Sequence, residues 1–376
     1  MSIVDVVVIG GGVHGSALAY ELSDRGLEVV VVERRALASG ASGGAGKRGV
    51  RANARDPREL PLARAAQEVW PDLAEMLGAA TGYERTGGLQ VVQVRDGVDR
   101  WLLDKVEAVA HVQNAWGVTT EAVGRERLDE LEPKLADDVV AATWCPEDGM
   151  ADQTLVTKAY AGAAERLGAR FLVGAPATRV TAGEPLGIEV ESAEPLRAKR
   201  VVIAANVHAP GLVRHSFGVQ LPVWTASLQV ILATAQGGYR PTRLVGHLAR
   251  TLSVKPLAGD ITMISGGYHG RWDPDGEMGT PVPARVQENL DVAAAVLPGL
   301  AGVEVVSAET DRVDSFSHDG VPIIDEISAG VFVATGWTGH GFAIAPSVAA
   351  SLAEWLVTGV RPAVLAPFGA GRFGRN

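Results

Sequence analysis

Gly10, Gly12 and Gly15 are spaced to cradle a pyrophosphate. Gly10 permits a tight turn, Gly12 lets the backbone approach the phosphates, and Gly15 lets a helix lie close on a strand. Val13 and His14 fill out the turn. There the free N–H groups and positive dipole end of a helix face the anion. Glu33 follows Gly15 at close to the ~20-residue spacing at which an acid accepts hydrogen bonds from a ribose, with Arg34 beside it. A second small-residue run, residues 39–49, carries Ser42, Gly43 and Gly44 and then gains Lys47, Arg48 and Arg51. Its N–H groups suit further phosphate or a flat cofactor ring lying against backbone. Far along the chain, Gly336, Gly339, His340, Gly341 and Phe342 form another glycine turn.

The elements around these residues give them context. Residues 3–9, IVDVVVI, suit a buried parallel strand in length and β-branching. The glycine turn follows, then helical spacing over 16–24, Gly26, a second apolar run over 27–32, and Glu33. Strand, glycine turn, helix, strand and acid together make the motif specific. Residues 155–167 read as a helix closed by Gly168. Strands are expected at 169–173, 178–181 and 200–205. The last runs into Asn206, a residue type that tolerates left-handed backbone. Residues 221–234 and 252–267 look strand-rich, and 281–297 helical. The strand at 331–335 runs into the second glycine turn. A helix over 344–357 follows, with Pro346 near its start and Gly359 past its end. Glu130 and Glu132, with the charged stretch around Arg125, read as a solvated helix face.

Composition narrows the function classes. The 376 residues carry a net charge of −10, and 47% are hydrophobic. An acidic chain argues against nucleic acid or an anionic membrane as partner. The single cysteine, Cys145, excludes an internal disulfide framework and a cysteine-rich metal site; as a small buried hydrophobe it needs no further role. No metal motif, signal-peptide layout or membrane span is present in the sequence, and a cytoplasmic setting is expected.

The stretch VVVIGGGVHGSALAYELSDRGLEVVVVERR, the following KRGVRAN, Thr86-Gly87-Gly88-Leu89 and the late GWTGHGF resemble the D-amino-acid-oxidase-type superfamily of FAD enzymes. Sarcosine oxidase, glycine oxidase, D-amino-acid dehydrogenase and sarcosine oxidase β subunits belong to it. The resemblance implies an α/β (overall α+β) fold. A Rossmann-like FAD-binding domain (1–85, 146–215 and 310–376) would interleave with a mixed or antiparallel-sheet substrate domain (86–145 and 216–309). It implies FAD held by the two glycine turns, Glu33, the residues 42–44 turn, Arg48, the Val180 backbone and Asn206. With no cysteine in a matching motif, the FAD is expected to be non-covalent.

The implied reaction is oxidation of the C–N bond of a small amino acid or N-methyl amino acid, giving an imine that water hydrolyses. By resemblance, Arg48 lies against the flavin, Arg51 holds the substrate carboxylate and His269 addresses the substrate. Two departures stand out. Ser265 and Ala343 occupy positions where sarcosine oxidase carries lysines. The first loss favours a dehydrogenase with a redox partner over oxygen as acceptor. Lys255 is a candidate for the same sheet. Two alternatives stay open: a 2-hydroxy-acid dehydrogenase, and a flavin subunit active only within a hetero-oligomer. An NAD-dependent enzyme would leave the late glycine turn unexplained.

Overall fold

The computed structural model describes residues 3–42, 44, 46–94, 99–191 and 193–374. β1 (Ile3–Ile9) enters the molecule's centre, α1 (Val13–Asp24) leaves it, and β2 (Val29–Glu33) returns parallel to β1. Val6, Val8, Leu18, Leu22, Val29 and Val31 are all buried in one cluster. Each such side chain contributes about 1.5–3 kcal/mol by leaving water, so apolar burial rather than helix propensity holds α1 in place.

Two eight-stranded sheets dominate. In the first, β1 lies between β2 and the Leu196–Ile203 strand, both parallel to it. Arg170–Val173 extends the sheet beyond β2, and Val331–Thr335 and then antiparallel Ile323–Ser328 extend it on the other side. α1 packs on the helices Gln153–Arg166 and Ala345–Thr358. The last helix ends at Gly359, whose left-handed backbone (φ 73°) and N–H bond to Trp355 form the expected cap.

The second sheet is mixed. It runs from Glu304–Glu309 through Val230–Thr234, Ile261–Ser265, Ser253–Pro256, Leu244–His247, Gly88–Gln93 and Val139–Cys145 to Glu121–Gly124. All its pairings are antiparallel except that of Leu244–His247 with Gly88–Gln93. Between the sheets in sequence lie β3 (Lys47–Val50), paired with Gly149–Asp152, and α2 (Leu60–Val69). No single helix among the described residues is long and apolar enough to cross a membrane.

One sequence expectation is corrected. Glu130 is exposed as a solvated face requires. Glu132 is buried at 1% exposure. Its carboxylate accepts from Thr242 N (2.8 Å) and Oγ1 (2.7 Å) and from Arg243 N (3.1 Å), anchoring the entry to the Leu244–His247 strand. The helix ends at Leu131, so helical spacing no longer governs where Glu132 points.

Candidate active site

Residues of both sheets line a cavity of about 1360 Å³. That exceeds the ~300–1,000 Å³ of an ordinary small-molecule pocket and leaves room for an extended dinucleotide together with a small substrate.

Gly10, Gly12, Val13, His14, Glu33 and Arg34 are among its lining residues. Gly10 has φ +117°, and a Cβ there would stand 2.5 Å from Ala204 O; a Cβ on Gly15 would stand 1.9 Å from Gly10 O. Both positions are closed by the protein itself. Gly12 differs: nothing lies within 4 Å of where its Cβ would be, and no side chain caps α1 among the described residues. The opening at Gly12 faces the cavity, which is what a pyrophosphate requires. Glu33 accepts from Gly11 N (2.6 Å) and Arg35 N (2.8 Å). A carboxylate has about four acceptor sites, so capacity for a ribose hydroxyl remains.

Other predicted residues fall differently. Arg34 edges the cavity, but its guanidinium is held by Glu277 (2.6 Å) and lies 2.8 Å from His208 Nε2. Val180 stands outside the cavity wall. It is fully buried and its N–H donates to Ser216 Oγ (3.0 Å), while Ala177 and Thr178 of the same strand line the wall. Asn206 lines the cavity with left-handed backbone, φ 47°. Its Oδ1 accepts from Ser315 Oγ (2.5 Å) and its carbonyl from Thr335 Oγ1 (2.9 Å).

Ser42, Arg48, Arg51 and the turn from Trp337 to Phe342 line the same cavity. Gly43 falls outside the described residues. The Gly44 carbonyl accepts from Arg48 Nη2. Gly336 sits behind the turn with φ +77°, its N–H donating to Ser315 Oγ (2.8 Å). Gly339 N donates to buried Asp314 (2.5 Å). The His14 ring stacks on Trp337 with centroids 3.5 Å apart and planes 4° from parallel. Burial pushes its pKa down to about 3, so His14 is neutral and ties the first glycine turn to the last. His340 has both ring nitrogens engaged, Nδ1 with Thr338 O (2.9 Å) and Nε2 with Glu59 (3.0 Å). Arg55 completes the bracket: it pairs with Glu59 (3.3 Å) and donates to His340 O (2.8 Å). Burial acts to raise the Glu59 pKa, but Arg55 and His340 outweigh it and hold the carboxyl below its usual range.

Arg48 and Arg51 are brought together with Lys255 on this wall. Burial lowers both guanidiniums to about 10; Glu309 opposes the shift at Arg48, and neighbouring Arg55 adds to it at Arg51. Arg51 donates to Asn53 O and makes no ion pair among the described residues. Lys255, on the Ser253–Pro256 strand, is 6% exposed. His269 is not part of this group. It stands outside the cavity wall with its ring edge-on to Phe316 (5.5 Å), and Phe316 forms the wall. Cys145 is also outside the wall, buried beside Gln67 (3.5 Å), and burial raises its thiol pKa.

Behind Arg51, fully buried Asp148 accepts from Ala52 N (2.7 Å) and Gln67 Nε2 (3.3 Å). Asn53 bridges Gly88 O (3.2 Å) and Thr143 O (2.9 Å). These groups pin the segment that carries both arginines. Burial raises the Asp148 pKa to about 6, against the pull of Ala52 N–H and Arg51. The unfolded value is ~3.9, so the native state holds more protons between the two. Asp148's contribution to stability is therefore full below about pH 4 and declines by about 3 kcal/mol as pH rises through about 6. Denaturant unfolding from pH 4 to 8 is expected to show this decline in wild type relative to Asp148→Asn. A wild-type-minus-variant difference that is flat with pH would refute it.

The family described as "FAD dependent oxidoreductase" (DAO) matches residues 5–355. The chain belongs to that family. FAD is therefore its cofactor, and the opening at Gly12 and the cavity wall at residues 337–342 fit it. The chain is 27% identical over 381 residues to 4-methylaminobutanoate oxidase (formaldehyde-forming) of Paenarthrobacter nicotinovorans, covering 95% of this chain and 44% of that protein. It is 25% identical to the sarcosine oxidase subunit beta of an Arthrobacter species, covering 98% and 91%. The chain thus spans less than half of the first relative and nearly all of the second. The crystal structure of glycine oxidase from Geobacillus kaustophilus superposes with a TM-score of 0.84 at 24% identity, covering 99% of both chains.

Proposed function

We propose that this chain oxidises the C–N bond of a small amino acid or N-methyl amino acid to an imine, which water then hydrolyses. The observation that carries this reading is the continuity of one cavity from the dinucleotide end, at Gly12 and Glu33, to the buried cations Arg48, Arg51 and Lys255. The names of the relatives point the same way: a methylamino-acid oxidase, a sarcosine oxidase subunit and a glycine oxidase.

Bound FAD supplies the two-electron acceptor. Gly10, Gly12, Gly15 and Glu33 would hold its ADP half. Ser42, Arg48 and residues 337–342 would hold its ring, without a bond to cysteine, since Cys145 lies outside the cavity. Arg51 orients the substrate by its carboxylate, because a planar fork fixes position as well as charge. We assign residues 1–85, 146–215 and 310–376 to the cofactor domain and 86–145 and 216–309 to the substrate domain; sheet membership supports this division.

The test is the visible spectrum of the purified protein during anaerobic addition of pooled D-, L- and N-methyl amino acids. Bleaching is expected, and dividing the pool then identifies the substrate. Bleaching by 2-hydroxy acids alone would overturn the reading. Bleaching only once a partner subunit is added would make the chain a subunit of the kind its β-subunit relative is named for.

A further inference from the structure

Lys255 is a buried amine on the cavity wall with little to hold a charge. Its Nζ lies 3.4 Å from Ser265 Oγ and 3.9 Å from Met263 Sδ, both on the neighbouring Ile261–Ser265 strand. No carboxylate pairs with it among the described residues. From β3 and the residue after it, Arg48 and Arg51 act on it electrostatically. The remaining neighbours are no better as partners. The Ile261–Ser265 strand presents no ionisable side chain. The Leu244–His247 strand ends in His247, whose Nδ1 accepts from Ala249 N (3.0 Å) and Arg250 N (3.1 Å). Glu309 acts at one remove, through Arg48.

A buried ammonium beside two guanidiniums, without an anion, is strongly disfavoured. Packing alone gives no reason to keep an amine there, since an apolar side chain would fill the space without that penalty. A neutral amine in a substrate cavity has one chemical capability that fits the reaction: it accepts a proton. An amino acid arrives with its nitrogen protonated, and that nitrogen must become neutral before it can give up electrons.

We propose that Lys255 takes the proton from the substrate's ammonium group, and that the substrate's own carboxylate, seated on Arg51, raises the basicity of Lys255 for that task. This rests on the amino-acid-oxidising reading above. The step balances: an N–H bond of the substrate ammonium breaks, an Nζ–H bond of Lys255 forms, and the substrate nitrogen keeps the electron pair. Burial and then the two arginines hold down the proton affinity of Lys255 in the free enzyme. The incoming anion offsets the arginines, so proton affinity rises only when a correctly anchored substrate is present. Burial, with the two arginines adding to it, lowers the resting pKa to about 7, consistent with an amine ready to accept near neutral pH.

The test compares kcat/KM against pH for wild-type holoenzyme, Lys255→Met and Lys255→Arg, with flavin content checked in each. Wild type is expected to show an ascending limb near neutrality. In Lys255→Met the limb moves to the substrate amine's own pKa of ~10, giving a loss of about 100-fold at about pH 8 that vanishes near pH 10. Lys255→Arg keeps the cation but cannot accept a proton, and is expected to lose as much. The second readout needs no turnover. Calorimetry with methoxyacetate, a carboxylic acid without an amine, in buffers of different ionisation heat is expected to show proton uptake by wild type and none by Lys255→Met. A neutral limb retained in Lys255→Met, recovery in Lys255→Arg, or proton uptake unchanged in Lys255→Met would each overturn the role of Lys255 and leave the activity reading intact. A wild type whose flavin bleaches with no amine would overturn both.

Discussion

Gly12→Ala is expected to fold with the stability of the wild-type apoprotein and to lose FAD. The added methyl meets no protein atom within 4 Å. The backbone at Gly12, φ −79° and ψ −176°, is ordinary extended geometry that alanine adopts freely. What the methyl does meet is the volume in which the pyrophosphate must approach α1. A loss of at least about 100-fold in FAD affinity is expected, corresponding to ~3 kcal/mol. Flavin-to-protein ratio after dialysis and FAD titration by fluorescence quenching measure the first half. Apoprotein unfolding measures the second. Retention of stoichiometric FAD would remove the pyrophosphate from this turn.

Gly15→Ala supplies the contrast. Its Cβ falls 1.9 Å from Gly10 O, an overlap that only a backbone shift relieves. Both apoprotein stability and FAD content are expected to drop, because overpacking of this kind typically costs about 1–3 kcal/mol. The two variants lie three residues apart and separate cofactor contact from fold contact.

The first glycine turn was legible because its chemistry is local. Gly10, Gly12, Gly15 and Glu33 are placed by one strand–helix–strand unit, and a spacing within one unit survives any arrangement of the rest. The late turn at 337–342 was legible for the same reason, as was the left-handed Asn206. Lys255, on a strand, and Arg51, just past the end of β3, converge from about 200 residues apart in sequence, and no periodicity encodes that meeting. His269 shows the same limit from the other side. It sits in an isolated bridge with Leu228, past the end of the Ile261–Ser265 strand, and Phe316, from the Val313–Ser317 strand, takes the place on the wall. The Arg55–Glu59–His340 bracket carried a partial local signal. Arg55 and Glu59 stand four apart, the spacing of neighbours on a helix, yet Arg55 precedes α2. Its third member comes from the far end of the chain. Glu132 was misread because helical spacing was extended one residue past the helix end.

Arg51→Met is expected to lower kcat/KM by about 10³-fold while leaving flavin content and spectrum unchanged. Arg51 lacks an ion-pair partner among the described residues. Its guanidinium is buried on the cavity wall with a backbone acceptor at Asn53. Burial, with Arg55 adding to it, lowers its pKa to about 10 against the pull of Asp148 and Glu59, so it stays charged at neutral pH, and neither carboxylate bonds to it. A substrate carboxylate relieves that deficit, and charge-assisted pairs of this kind carry several kcal/mol when desolvated. Losing the pair at ~4 kcal/mol corresponds to about 10³-fold. Arg51→Lys keeps a charge but not the fork, so an intermediate loss of about 10–100-fold is expected. The split between constants adds a further check. Anchoring alone raises KM, whereas a misaligned substrate also lowers kcat. Steady-state kinetics of the three proteins on the substrate found by bleaching measure all of this. Arg51→Met with wild-type kcat/KM would move the carboxylate away from Arg51, leaving Arg48 as the cation to test next.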